Sequence, residues 1–264
     1  MHILNPGFKL DDFLARARDV RSRVLMLDYD GTLAPFRTKP DEALPYTGMV
    51  PLLDAIQDAG HTRLVVVSGR WTKDLIPLLG LKRRPEIWGS HGWERLGVQG
   101  EYSVAPIDDK TLEVLVMADE WAQQVEKIGG RCESKPAAVA FHWRGLSNKK
   151  ISQIRNMIFE NWKDLEHANL SWHDFDGGIE LRPAGWDKGN VVKTLIAETG
   201  PDAVFAYLGD DLTDESAFKA MTDRGVAVLV RPELRPTTAD LWLKPPEEVR
   251  KFLMHWHEAA VGDV

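Results

Sequence analysis

Asp28 and Asp30 stand two residues apart, directly after the apolar run Val24-Leu25-Met26-Leu27. Strand side chains alternate with period 2, so two acids at this spacing share a face while the backbone stays extended. Gly31 then supplies a turn, and Thr32 a hydroxyl that can hydrogen-bond whatever the acids hold. Three later segments have the same character: Ser68-Gly69-Arg70 after Leu64-Val65-Val66-Val67, Lys188-Gly189 ahead of a helical pattern, and Gly209-Asp210-Asp211-Leu212-Thr213-Asp214-Glu215 after the apolar stretch 203–208. A hard cation such as Mg²⁺ takes oxygen ligands. Asp28 and Asp210 could supply carboxylates from two strand ends, with the Asp30 carbonyl as a third oxygen. With the charge repulsion offset, Asp28 could attack a phosphoryl group, while Asp30 protonates the leaving alkoxide and later activates water. Ser68, the neighbouring N–H groups and Lys188 could hold phosphate oxygens.

Each segment has a plainer structural reading. An Asp pair at a strand end can be a turn device, Ser68-Gly69-Arg70 a strand-to-helix turn, and Gly209-Asp210-Asp211 a helix cap. Their order and shared position at strand ends favour the chemical reading, because ligands of open α/β sheets bind beyond the carboxyl ends of the strands.

The elements needed to place these residues follow from periodicity. Strands are expected at 24–28, 63–68, 86–89, 203–208, 226–230 and 241–243. Helices are expected at 47–59, 71–79, 190–198, 213–222 and 246–260, with a hairpin at 93–104. Continuous apolar strands alternating with amphipathic helices predict an α/β, Rossmann-like parallel sheet covered on both faces. Between 106 and 182 the pattern becomes helix, two strands, helix, two strands. Its first helix is expected over 107–128, with a stripe of Leu112, Leu115, Val116, Trp121, Val125 and Ile128. Its second is expected over 147–167, with Ile151, Ile154, Ile158, Trp162 and Leu165 on one face. This αββαββ order predicts an inserted α+β cap domain with an antiparallel sheet, so that residues 1–105 and 183–264 form one discontinuous core. Such an insertion could hinge over the strand ends as a lid.

Composition bounds the class. The chain has 264 residues, 44% apolar and 28% charged, and its 33 basic against 40 acidic residues leave a net charge of −7. That disfavours nucleic acid and anionic membrane surfaces as partners. No apolar stretch approaches the roughly 20 residues of a membrane span. The start Met1-His2-Ile3-Leu4-Asn5-Pro6 lacks a signal-peptide pattern. Cys132 stands alone in the sequence, as in a reducing compartment. A cytoplasmic monomer is the expectation. The ten tryptophans include Trp143 and Trp172, for which core packing is preferred to sugar stacking.

The four segments, in this order, resemble the motifs of the haloacid dehalogenase superfamily of Mg²⁺-dependent phosphohydrolases, and the insertion resembles one of its cap types. Gly89-Ser90-His91-Gly92 with Glu94, Glu133-Ser134-Lys135, His142-Trp143-Arg144 and Glu180-Leu181-Arg182-Pro183 narrow the likeness. From residue 24 to about residue 245 the pattern is similar to the trehalose-6-phosphate phosphatase family. The resemblance implies Asp28 as nucleophile, Asp30 as acid and base, and Asp28, Asp30 and Asp210 around Mg²⁺ with Asp214 behind them. It implies Ser68, Gly69 and Lys188 at the phosphate. Glu133, Lys135, His142, Arg144 and Glu180 would face the sugar from the cap, and Arg70 and His91 from the core. The implied partner is a small sugar phosphate, trehalose 6-phosphate first, with sucrose-phosphate and glucosylglycerol-phosphate types left open. A non-catalytic relative would have lost a carboxylate or the lysine, and Asp28, Asp30, Lys188 and Asp210 are all present.

Overall fold

The computed structural model describes residues 1–37, 39–163, 169–221 and 225–261. The chain divides into two compact units, Met1–Val104 with Asp187–Val264, and Ala105–Trp186. In chain order the first unit begins β1 (His2–Ile3), α1 (Leu10–Asp19), β2 (Ser22–Leu27), α2 (Met49–Asp58), β3 (Thr62–Val67), α3 (Thr72–Leu79), β4 (Glu86–Gly89), β5 (Glu94–Leu96) and β6 (Tyr102–Val104). The second unit holds α4 (Asp109–Glu120), α5 (Ala122–Ile128), β7 (Arg131–Lys135), β8 (Ala138–His142), α6 (Asn148–Trp162), β9 (Leu170–Phe175) and β10 (Gly178–Pro183). The first unit resumes with α7 (Lys188–Thr199), β11 (Ala203–Gly209), α8 (Glu215–Ala220), β12 (Gly225–Val230), β13 (Leu241–Leu243) and α9 (Glu247–Val261).

Among the described residues the first unit forms one nine-stranded sheet in the order β1-β13-β12-β11-β2-β3-β4-β5-β6. The strands from β13 to β4 run parallel, and β1, β5 and β6 pair antiparallel at the edges. The apolar runs are continuous because both faces are covered. Leu25, Leu27, Leu64 and Val66 pack in one cluster with residues of α2, α3 and α9. Val24, Met26, Val65 and Val67 point the other way, into a cluster with Val191, Val192 and Leu195 of α7 and Ala217 and Phe218 of α8. The same parity carries past the end of β2: Tyr29 lies with the first cluster, and Asp28 follows Val24 and Met26 onto the α7 side. Asp210, Asp28, Ser68 and Ser90 therefore follow the carboxyl ends of β11, β2, β3 and β4, four adjacent strands.

In the second unit a four-stranded antiparallel sheet, β7-β8-β10-β9, puts Val139, Phe141, Ile179 and Leu181 against α4, α5 and α6. Trp143 and Trp172 pack in the same cluster. Residues 183–186, expected in the first unit, belong here, since Pro183 completes β10 opposite Leu170 and the Ala184 N–H donates to the Asn169 carbonyl at 2.9 Å. The helix expected over 107–128 is two helices, broken at Trp121. Its apolar stripe is also out of phase: Leu112 and Val116 are exposed, while Thr111, Val114, Leu115 and Ala118 are buried. The Asp108 carboxylate accepts from the Thr111 N–H at 2.9 Å and starts the helix at 109, while packing of Val114, Leu115 and Ala118 with Val139, Phe141 and Leu181 sets that phase. The helix expected over 213–222 is a 3₁₀ turn, Leu212–Asp214, running into α8. Leu165 and Thr222 lie outside the described residues. Helix α1 was not expected from the sequence; it buries Phe13 and Ala17. Among the described residues no helix is long and apolar enough to cross a membrane.

Candidate active site

Lys188 opens α7 with its side chain buried, and its ammonium donates to Asp28 Oδ1 and Asp214 Oδ1, each at 2.7 Å. Asp214 Oδ1 also accepts from the Tyr207 hydroxyl at 2.7 Å. Its Oδ2 accepts from the N–H groups of Asp210 at 3.0 Å and Asp211 at 2.9 Å. One carboxylate thus fixes both the lysine and the turn that presents Asp210. Ligand atoms of Asp28, Asp210 and Asp214 all lie within 4.8 Å of one another. Burial pushes the Asp28 carboxyl up, Lys188 pulls it back, and Asp214 adds to the rise. Burial, then the charges of Asp28 and Asp214, push Asp210 well above the usual carboxylate range. Burial pulls the Lys188 ammonium down, but Asp214 and Asp28 outweigh it and hold it above its ordinary range.

These residues fit a hard divalent cation. Three buried acids against the Lys188 ammonium leave surplus negative charge that oxygen-seeking Mg²⁺ would offset. Backbone shape makes the same point. Gly31 has φ +80°, and a Cβ there would stand 2.3 Å from Asp210 Oδ2. Only glycine lets that carboxylate lie over the turn after Asp28. With its carboxylate occupied by four donors, Asp214 stands behind Asp28 and Asp210.

Asp30 is engaged differently. Its two carboxylate oxygens accept from Arg70 Nε and Nη2, each at 2.6 Å, and Arg70 Nη1 donates to the Pro40 carbonyl at 2.7 Å. Arg70, expected at the sugar, therefore also fixes the Asp30 carboxylate. Ser68 is buried, and its Oγ accepts from the Arg70 N–H at 3.1 Å. Gly69 lies beneath the His91 ring, and a Cβ on it would stand 2.6 Å from Cε1 and Nε2.

The second unit brings four of its five candidates together. Register sets Glu133 and Glu180 opposite Ala140, on the sheet face away from Val139 and Phe141. His142 Nε2 lies 3.0 Å from Glu133 Oε2, and Lys135 Nζ donates to Glu180 Oε1 at 2.7 Å. The hydrogen bond from His142, then the Lys135 charge, holds the Glu133 carboxyl down at about 2 despite burial. Arg144 is set apart, in the turn after β8, where it donates to the Asp176 carbonyl at 2.6 Å. A cross-strand pair of Glu133 with Arg144 is therefore not formed; Glu133 meets His142 and Arg131 instead.

Residues 26–244 match the family model described as Trehalose-phosphatase. The chain belongs to the trehalose-phosphatase family. That places it among phosphoric monoester hydrolases. It is 31% identical to "Probable trehalose-phosphate phosphatase H" of Arabidopsis thaliana, over 90% of this chain and 74% of that protein. It is 32% identical to "Trehalose-phosphate phosphatase" of Mycobacterium marinum, over 86% of this chain and 60% of that protein. In fold it is similar to the C-terminal domain of the trehalose-6-phosphate phosphatase of C. albicans, with a TM-score of 0.79, 22% identity and coverage of 98% and 99% of the two chains.

Several residues of this trehalose-phosphatase chain outside the sequence motifs touch the site. Tyr207 supports Asp214. Arg231 and Arg235 donate to the Asp210 carbonyl at 3.2 and 3.4 Å, and Arg235 also to the Asp211 carbonyl at 2.8 Å and to Glu215. A tyrosine two residues before Gly209, inside an otherwise apolar strand, was the available signal.

Proposed function

We propose that this chain hydrolyses trehalose 6-phosphate to trehalose and inorganic phosphate, with Mg²⁺ held by Asp28, Asp210 and the Asp30 carbonyl. The observation that carries the reading is the buried group of Asp28, Asp210 and Asp214 around Lys188 at the ends of β2 and β11. When bound, the metal would neutralise charge between phosphate and carboxylates and polarise the phosphoryl group. Asp28 Oδ forms a bond to phosphorus as the bond from phosphorus to the sugar O6 breaks, and Asp30 passes its proton to that departing oxygen. Water then gives a proton to Asp30 and its oxygen to phosphorus, the bond to Asp28 breaks, and the carboxylate is restored. Each oxygen of Asp30 accepts once from Arg70 and keeps a second lone pair that can carry the proton. Ser68 and Lys188 hold phosphate oxygens through both steps. Glu133, Lys135, His142 and Glu180 are read as the wall that selects sugar hydroxyls, since charged acceptors and donors left unpaired penalise a wrong substrate. Arg144, Arg70 and His91 are assigned to the same substrate. The first unit is thus the catalytic core and the second the specificity cap. Phosphate release over a panel of sugar phosphates, with and without Mg²⁺, tests this. Turnover of trehalose 6-phosphate above the others, only with Mg²⁺, is expected; faster turnover of sucrose phosphate or glucosylglycerol phosphate would reassign the substrate.

A further inference from the structure

We propose that Ser90, His91 and Glu94 are positioning residues that hold the loop Ser68-Gly69-Arg70 in its phosphate-binding shape, an inference resting on the reading above that this loop receives the phosphate. Ser90 and His91 are consecutive residues with φ of +48° and +57°, a conformation uncommon for L residues other than Asn, Asp and His, and rarer still for two in a row. No glycine relieves it, so something must hold it in place.

The surroundings say what that is and what it achieves. The Ser90 N–H donates to the Arg70 carbonyl at 2.8 Å, and the His91 N–H donates to the Ser68 carbonyl at 2.9 Å. Between those two bonds the His91 ring lies on Gly69, so close that a Cβ on Gly69 would stand 2.6 Å from it. All three residues of the loop are gripped from one side. A trans peptide sets each N–H antiparallel to the carbonyl before it. Binding the carbonyls of 68 and 70 therefore turns the N–H groups of Gly69 and Trp71 to the opposite side, ahead of α3, where an anion is favoured.

Glu94 is the anchor. It is wholly buried, and its Oε1 accepts from Ser90 Oγ at 2.6 Å and from the Thr72 N–H at 3.4 Å, while Oε2 accepts from the Tyr102 hydroxyl at 3.0 Å. One carboxylate thereby joins the left-handed pair to the first residue of α3 and to β6. A buried acid with these donors is expensive to leave half satisfied, which is how it can keep Ser90 and His91 in a disfavoured conformation.

The test uses Ser90→Gly, Glu94→Gln, Ser68→Ala and the double variant Ser68→Ala/Ser90→Gly in the full chain. Read-outs are the thermal midpoint, the affinity for inorganic phosphate with Mg²⁺, and kcat/KM for trehalose 6-phosphate. Glycine accepts the left-handed backbone more readily than serine. Ser90→Gly also takes one donor from the buried Glu94, so a purely structural pair would change the midpoint alone and keep full activity. The proposal expects a variant that still folds, with phosphate affinity and kcat/KM reduced about tenfold to a hundredfold, as for a displaced binding group. It also expects the double variant to lose less than the sum of the two single changes, because both act on one loop. Retention of kcat/KM within about twofold in Ser90→Gly while Ser68→Ala is impaired would overturn it. If Ser68→Ala is itself unimpaired, the phosphate-loop reading fails, which is a different result. Should Ser90→Gly not fold, Glu94→Gln decides on the same read-outs. Collapse of the midpoint in both variants would mark the pair as part of the fold alone and overturn the proposal.

Discussion

Lys188 stays charged in the interior because two acids meet it, and those acids stay close because it lies between them. Removing one member of such a buried set leaves uncompensated charge. Lys188→Met is therefore expected to cost about 3–5 kcal/mol in the metal-free protein, read from urea midpoints. A loss under about 1 kcal/mol, the size of an exposed pair, would contradict it. Asp28 gives a pH signature of its own. Burial raises its carboxyl from 3.8 to about 7, with Lys188 opposing and Asp214 adding. The folded protein thus keeps a proton that the unfolded chain releases between about pH 4 and pH 7, so this group's contribution to stability is lost as pH rises through that window. Without metal, the thermal midpoint should fall across the window in wild type and less steeply in Asp28→Asn; equal slopes would refute the assignment. The acids, Ser68 and Lys188 were legible because each follows a recognisable strand or opens a helix. Arg231 and Arg235 were not, because the Asp210 and Asp211 carbonyls they reach are backbone groups, which are the same at every position and leave no residue pattern.

At the scale of elements, α4 is where sequence pattern and structure part. The face that meets the sheet carries Thr111, Val114, Leu115 and Ala118, and not the Leu112 and Val116 of the apolar stripe. Asp108→Ala is expected to cost about 0.5–2 kcal/mol. Leu115→Ala should cost about 2–5 kcal/mol as a buried deletion. Val116→Asp should stay within about 0.5 kcal/mol, since Val116 is 65% exposed. Urea denaturation of the three variants checks the order, and a costly Val116→Asp would restore the stripe read from sequence. Strands such as β2, β3 and β11 were legible because a strand buried on both faces must be apolar throughout. Helix α1 was not, because only Phe13 and Ala17 are fully buried, beside the half-buried Leu10 and Leu14, in a segment otherwise rich in charge.

At the scale of the molecule, the parallel sheet makes neighbours of residues that the chain keeps far apart. The strand order β11-β2-β3-β4 lines up the turns bearing Asp210, Asp28, Ser68 and Ser90, and α7 returns Lys188 to the same edge. The intervening antiparallel unit was visible as a change of periodicity, whereas its exit past Pro183 depends on a strand pairing that no local pattern encodes. The proposed mechanism requires this arrangement to transfer a phosphoryl group to one particular carboxylate. Acid quenching during turnover of trehalose 6-phosphate with Mg²⁺, followed by proteolysis and mass spectrometry, reads that transfer directly. A phosphoryl group on the peptide bearing Asp28, absent in Asp28→Asn along with turnover, is the expected result. A phosphorylated residue elsewhere, or near-native turnover by Asp28→Asn, would contradict it.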